Sequence, residues 1–170
     1  MSGGGRRGAL AVVLMGVTGS GKTTVGQLLA SDLGWPFHDA DDFHPQANVR
    51  KMARGVPLDD GDRAPWLARL SEHLDDLLAS GSSSVLACSA LKQRYRDALG
   101  NGRPTVRFVY LKGSEALIGS RLAGRQHRYM PASLLRSQFD ALEEPVEALV
   151  VDTAGTPRDA VRRIRQGLGI

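Results

Sequence analysis

Residues Gly16-Val17-Thr18-Gly19-Ser20-Gly21-Lys22-Thr23 fit the spacing G-x-x-x-x-G-K-S/T, with an apolar run before them and a helical pattern after. That context is what gives the motif meaning as a P-loop. Its glycines permit a tight turn whose N–H groups converge on phosphate oxygens, and the helix start adds positive potential. Lys22 is expected to reach the β- and γ-phosphates of a bound nucleotide, and the Thr23 hydroxyl to ligate Mg2+. Gly16, Val17, Thr18, Gly19, Ser20, Gly21 and Thr24 complete the expected nucleotide-contacting set, Thr18 and Ser20 chiefly by shaping the loop.

A second constellation is Asp39-Ala40-Asp41-Asp42, at the end of a short strand-like piece. Alternating carboxylates there suit phosphoryl transfer: one holds the metal's waters while another takes a proton from the attacking hydroxyl, a contribution of about 10² to 10⁴ in rate. Asp41 is the expected base and Asp39 the expected metal neighbour, against the plainer reading of an acidic turn or helix cap. The apolar run ending Ala87-Cys88-Ser89 carries no terminal aspartate for the metal, so another carboxylate has to serve. Asp152-Thr153-Ala154-Gly155 imitates the D-x-x-G of GTPase switches, but it lies near the end of the chain and no N-K-x-D follows. That disfavours a GTPase-type switch and points to ATP.

These residues need a scaffold. Apolar runs of strand length fall at residues 9–15, 36–38, 84–88, 106–111 and 148–151, nearly continuous, as strands covered on both faces require. Between them Val25, Leu28, Leu29 and Leu33 share a helical face, as do Trp66, Leu67, Leu70, Leu74, Leu77 and Leu78, and later Val161, Ile164 and Leu168. The alternation predicts an α/β domain with a parallel sheet and right-handed crossovers. Residues 1–8 are expected to be a flexible N-terminus and 9–170 one domain. Within it, residues 39–66 form the expected acceptor-binding segment above the carboxyl ends of the strands, where ligands bind in open α/β sheets. Residues 121–131, with Arg121, Arg125, His127 and Arg128 and no acid, form an expected mobile cationic lid.

Composition removes several alternatives. The chain has 170 residues, 42% hydrophobic and 24% charged, in the range of a globular domain. Its single cysteine, Cys88, excludes an internal disulfide or a multi-cysteine zinc site and fits a reducing compartment. The net charge of +4 is not concentrated in an aromatic-studded basic patch, so no nucleic acid is expected. Arg6 and Arg7 before an apolar stretch imitate a signal peptide, yet the stretch leads straight into the glycine-rich loop, and no run reaches the roughly 20 residues of a membrane span.

The P-loop, Asp39-Ala40-Asp41-Asp42-Phe43-His44-Pro45, Lys51-Met52, Gly55-Val56-Pro57-Leu58, Asp62-Arg63 with Pro65-Trp66-Leu67, Cys88-Ser89-Ala90-Leu91-Lys92 with Tyr95-Arg96, and Met130-Pro131 with Ser137-Gln138-Phe139 together resemble the gluconate kinases. The resemblance runs in order over about residues 9–168. It implies a P-loop kinase fold with a five-stranded parallel sheet, and ATP-dependent phosphorylation of D-gluconate to 6-phospho-D-gluconate, feeding the pentose phosphate pathway. It further implies a cytoplasmic homodimer. One departure is Arg128-Tyr129-Met130-Pro131, where the family commonly has His-Phe-Met-Pro.

A sugar acid needs a cation for its carboxylate and hydrogen-bonding groups along its chain. Arg63 is the first choice, by analogy with the arginine that anchors the carboxylate in shikimate kinases, and its rival role is a salt bridge to Asp59 or Asp60. Lys51, Lys92 and Arg96 are further candidates, with His44 and Ser89 lining the pocket. Arg121 and Arg125 are expected to meet the charge that develops on the transferred phosphoryl group, and residues 152–157 to lie near the adenine. A P-loop kinase for another small hydroxy acid or polyol is the alternative.

Overall fold

The computed structural model describes residues 7–124 and 132–170. Five parallel strands form one sheet in the order β2-β3-β1-β4-β5: β1 (Ala11–Met15), β2 (Phe37–Asp39), β3 (Ser84–Ala87), β4 (Val106–Lys112) and β5 (Leu149–Asp152). All four pairings are parallel, with Val13 opposite Leu86 on one side and Phe108 on the other. Each expected strand is present within one or two residues of its expected bounds. The helices are α1 (Lys22–Leu33), α2 (Gln46–Ala53), α3 (Asp60–Ala79), α4 (Gln93–Ala98), α5 (Glu115–Ala123), α6 (Ala132–Ala141) and α7 (Pro157–Leu168), with a 3-10 turn over Ala40–Phe43.

Every residue of β1 is buried, because the strand is central and its two faces feed two separate cores. Val13 and Met15 join Trp66, Leu70, Leu74, Leu86 and Tyr110 under α3 and α4. Val12 and Leu14 join Val25, Leu29, Val109, Val161 and Ile164 under α1 and α7. Strand periodicity of two is what sends neighbouring residues into opposite layers. A third, smaller cluster of Val17, Ile118, Leu122 and Leu135 seats α5 and α6 against the glycine-rich loop.

Local chemistry fixes the ends of the helices that matter. Asp59 and Asp62 form a reciprocal capping box at the start of α3, as Thr156 and Asp159 do at α7. Gly26 in α1 lies against Phe37: a Cβ there would meet the ring at 2.5 Å, so the helix can approach β2 only without a side chain. Among the described residues, no helix is long and apolar enough to cross a membrane.

Candidate active site

The glycine-rich loop joins β1 to α1, the strand-loop-helix setting its sequence calls for. Gly16, Gly19 and Gly21 have φ of 150°, 85° and 97°, so backbone strain would penalise other residues there. A Cβ at Gly16 would also meet the Ser20 hydroxyl at 2.8 Å and the Leu111 carbonyl at 2.9 Å. Lys22 Nζ donates to the carbonyls of Gly16 at 2.8 Å and Val17 at 2.9 Å, closing the loop on itself. Burial pushes the lysine pKa down to about 8, opposed by the charges of Asp41 and Asp39. Thr23 and Thr24 are exposed on the first turn of α1, where a phosphate or its cation has access to them.

Asp39 ends β2 and its carboxylate accepts from the Asp41 N–H at 2.9 Å. That bond turns the chain into the 3-10 turn and presents the Asp41 carboxylate to solvent, 86% exposed. Although the carboxylate itself is open to solvent, the protein packed around it at longer range displaces water and raises the Asp41 pKa, and the neighbouring Asp39 charge raises it further, while His44 and Lys22 act the other way. A carboxylate so placed is a better proton acceptor than an ordinary aspartate.

The acceptor side is built by residues from three elements. His44 stacks on Trp66, ring centroids 4.4 Å apart and 13° from parallel. Asn48 Nδ2 lies 3.3 Å from His44 Nδ1 and, being a donor, assigns the imidazole proton to Nε2, 4.0 Å from an Asp41 carboxylate oxygen. Burial lowers the His44 pKa, so this ring is a neutral Nε2–H donor facing the cleft. Trp66 is itself fixed by donating to the Ala40 carbonyl at 2.7 Å.

Arg63 has no carboxylate partner among the described residues. The acids that rivalled a substrate for it are engaged elsewhere: Asp60 accepts from Tyr95 at 2.7 Å and pairs with Arg94 at 2.6 Å, and Asp59 caps α3. Arg63 Nη1 donates to the Tyr95 hydroxyl at 3.3 Å, and its guanidinium lies 5.6 Å from the centre of that ring. It is also close enough to His44 to lower that residue's pKa.

Other expected site residues fare differently. Ser89 accepts from the Gly16 N–H at 3.2 Å through its carbonyl, beside the P-loop. Lys92 immediately precedes α4 at its N-cap position, half-buried and with no ion pair among the described residues. The Lys51 ammonium is committed to Asp62 at 2.6 Å, so it braces α2 against the start of α3. Arg96 departs from expectation: it is 1% exposed, and its guanidinium donates to the carbonyls of Ala90 at 2.8 Å and Glu143 at 2.7 Å and to Gln93. The helical turn that places Tyr95 toward Arg63 turns Arg96 inward, so it holds the loop after β3 and does not face a ligand. Arg125 lies outside the described residues, as do His127 and Arg128 of the expected lid.

A cavity of about 170 Å³ adjoins the loop, lined by Gly21, Thr24, Arg121, Thr153, Gly155 and Pro157. Arg121 reaches it from α5 and donates to the Thr153 carbonyl. A larger groove of about 640 Å³ lies between α3 and α4, behind Tyr95 and away from the P-loop. Sequence reading missed Trp66, Asn48 and Tyr95 as organisers of the acceptor side, and Gln138, whose amide contacts Thr18.

The chain is similar to known proteins in sequence and in fold. A family described as shikimate kinase matches residues 18–168. A probable gluconokinase from Rattus norvegicus is 49% identical over 152 residues, covering 79% of this chain and 82% of its own. A gluconokinase from Gluconobacter oxydans is 48% identical, covering 79% and 75%. The crystal structure of a gluconokinase from Sinorhizobium meliloti superimposes with a TM-score of 0.84 at 43% identity, over 96% of this chain and 93% of that one.

Proposed function

Because this chain belongs to the gluconokinase family of P-loop kinases, we propose that it transfers the γ-phosphoryl group of ATP to the terminal hydroxyl of D-gluconate, giving 6-phospho-D-gluconate. The observation that carries the reading is the set formed by Lys22, the Asp39 and Asp41 pair, and an Arg63 with no ion-paired carboxylate among the described residues. A kinase of this class acts by positioning and charge neutralisation. The loop amides and Lys22 hold the phosphates, and Arg121 borders the cavity beside the loop. Arg125 is proposed to join Arg121 at the transferred group.

Among the described residues, no cluster of three His, Cys, Asp or Glu side chains is able to hold a metal by itself. The donors at hand, the Thr23 hydroxyl and the Asp39 carboxylate, are hard oxygens that fit Mg2+ sharing its coordination with phosphate and water. The ion would supply charge neutralisation on the phosphate oxygens when bound. Asp41 accepts the proton of the attacking hydroxyl, its raised pKa favouring that transfer. His44 Nε2–H donates to a sugar hydroxyl or to Asp41 itself, and Arg63 pairs with the substrate carboxylate through two N–H donors.

Ser89 and Lys92 border the acceptor from the loop after β3, and residues 39–66 supply most of its contacts. Lys51 and Arg96 act one step back, through Asp62 and the Ala90 carbonyl. A small-molecule acceptor, a dimeric state and a cytoplasmic location complete the proposal. The test is ADP release by purified protein with Mg2+ and gluconate, shikimate or glycerate in turn, with gluconate expected to be preferred.

A further inference from the structure

Gln138 sits on α6, 120 residues from the P-loop in sequence, yet its side chain makes a two-point contact with Thr18. The Thr18 backbone N–H donates to Gln138 Oε1 at 2.8 Å. Gln138 Nε2 then donates to Thr18 Oγ1 at 2.9 Å. The direction of both bonds is fixed by chemistry, since the backbone N–H is only a donor and must face the amide oxygen. The packing that delivers the amide is also on view: Leu135, one turn earlier on α6, is buried with Val17, Ile118 and Leu122.

The consequence falls on one proton. A hydroxyl has one hydrogen to donate and two lone pairs. With Gln138 donating to Thr18 Oγ1, the threonine hydrogen is left for a different acceptor. Thr18 is half-buried at the loop surface, next to the Gly16 and Val17 carbonyls that hold the Lys22 ammonium. We infer that Gln138 is a positioning residue for phosphoryl transfer: its amide orients the Thr18 hydroxyl as a donor to an oxygen of the transferred phosphoryl group. The inference rests on the kinase reading above. It also revises the role of Thr18 from shaping the loop to contacting the reacting group.

Gln138→Glu separates this role from mere anchorage of α6. A carboxylate still accepts from the Thr18 N–H but has no hydrogen to give to Oγ1, so the hydroxyl turns its proton toward the glutamate. The expected result with ATP, Mg2+ and gluconate is a kcat about tenfold lower at pH 8, the size of one lost hydrogen bond in the transition state. ATP affinity should change by less than about threefold. The ratio of variant to wild-type kcat should rise as pH falls to 5, because a protonated glutamic acid regains a donor. Thr18→Val should show a similar loss and Thr18→Ser should not, and Gln138→Glu added to Thr18→Val should cost little more.

Gln138→Glu at wild-type kcat across the pH range, or an undiminished further loss on the Thr18→Val background, overturns the inference. If Gln138→Glu melts below the assay temperature, Thr18→Val decides alone, and wild-type kcat there overturns it. Wild-type protein that turns over no gluconate at all counts against the kinase reading instead, which keeps the two failures distinct.

Discussion

Raising the pH from 7 to 9 should weaken nucleotide binding by about tenfold through a single group, Lys22. In the free protein its ammonium is held by two backbone carbonyls inside the loop, and burial lowers its pKa to about 8. Bound triphosphate favours the protonated form, so binding above pH 8 has to take up a proton. With a pKa of about 8, roughly 90% of the lysine is charged at pH 7 and roughly 9% at pH 9, a free-energy difference of about 1.4 kcal/mol. Calorimetric titration with ATP at fixed Mg2+ measures the affinity at each pH. Repeating it at pH 8.5 in buffers of different ionisation enthalpy counts the protons taken up. Lys22→Arg keeps its charge throughout, so its weaker binding should not vary over the same range. The fold responds with the opposite sign: between pH 8 and 10.5 the unfolded chain holds a proton that the folded chain has released, so stability attributable to Lys22 rises. A wild-type affinity that stays constant from pH 7 to 9.5 would refute the reasoning, because the lysine would then be fully charged and its burial without electrostatic consequence.

Further outcomes follow from single side chains. Asp41→Asn should keep ATP binding and lower kcat by about 10² to 10⁴, measured by single-turnover transfer. Since Asp39 raises the Asp41 pKa, Asp39→Asn should move the acid limb of the kcat profile to lower pH; an unmoved limb would separate the two carboxylates. Arg63→Ala should raise the KM for gluconate by about tenfold or more, with ATP affinity intact, and unchanged kinetics would remove it as the carboxylate anchor. Cys88 is 2% exposed and burial pushes its thiol up to about 12, so iodoacetamide at pH 8 should leave the native protein unlabelled and label it only once unfolded. Gly26→Ala should lower stability by about 1 to 3 kcal/mol in urea titrations, as Phe37 has to yield to the new methyl group.

What the sequence alone makes legible is local. The P-loop, the five strands and the faces of α1, α3 and α7 each reside in a short window of sequence whose periodicity or spacing has one physical meaning, whereas the Asp39 and Asp41 pair reads equally as an acidic turn, and Asp39 does cap the 3-10 turn. Arg96 was misplaced because only the path of α4 decides whether a residue beside Tyr95 turns toward the cleft or into the core. Lys51 looked available until α2 and α3 brought Asp62 within 2.6 Å. Trp66 had no assignable role from its position alone, yet its indole supports both His44 and the Ala40 carbonyl. Gln138 was legible only as part of a family pattern, since nothing near it in sequence announces a contact with Thr18. In each case the deciding partner lies on another element, and side-chain periodicity carries no information about it.

The central claim is most directly tested by incubating purified protein with γ-labelled ATP, Mg2+ and equimolar D-gluconate, shikimate and glycerate in one vessel and identifying the labelled product. The account predicts label on the terminal oxygen of gluconate, lost when Asp41 is replaced by asparagine. Label on another acceptor with none on gluconate would contradict it.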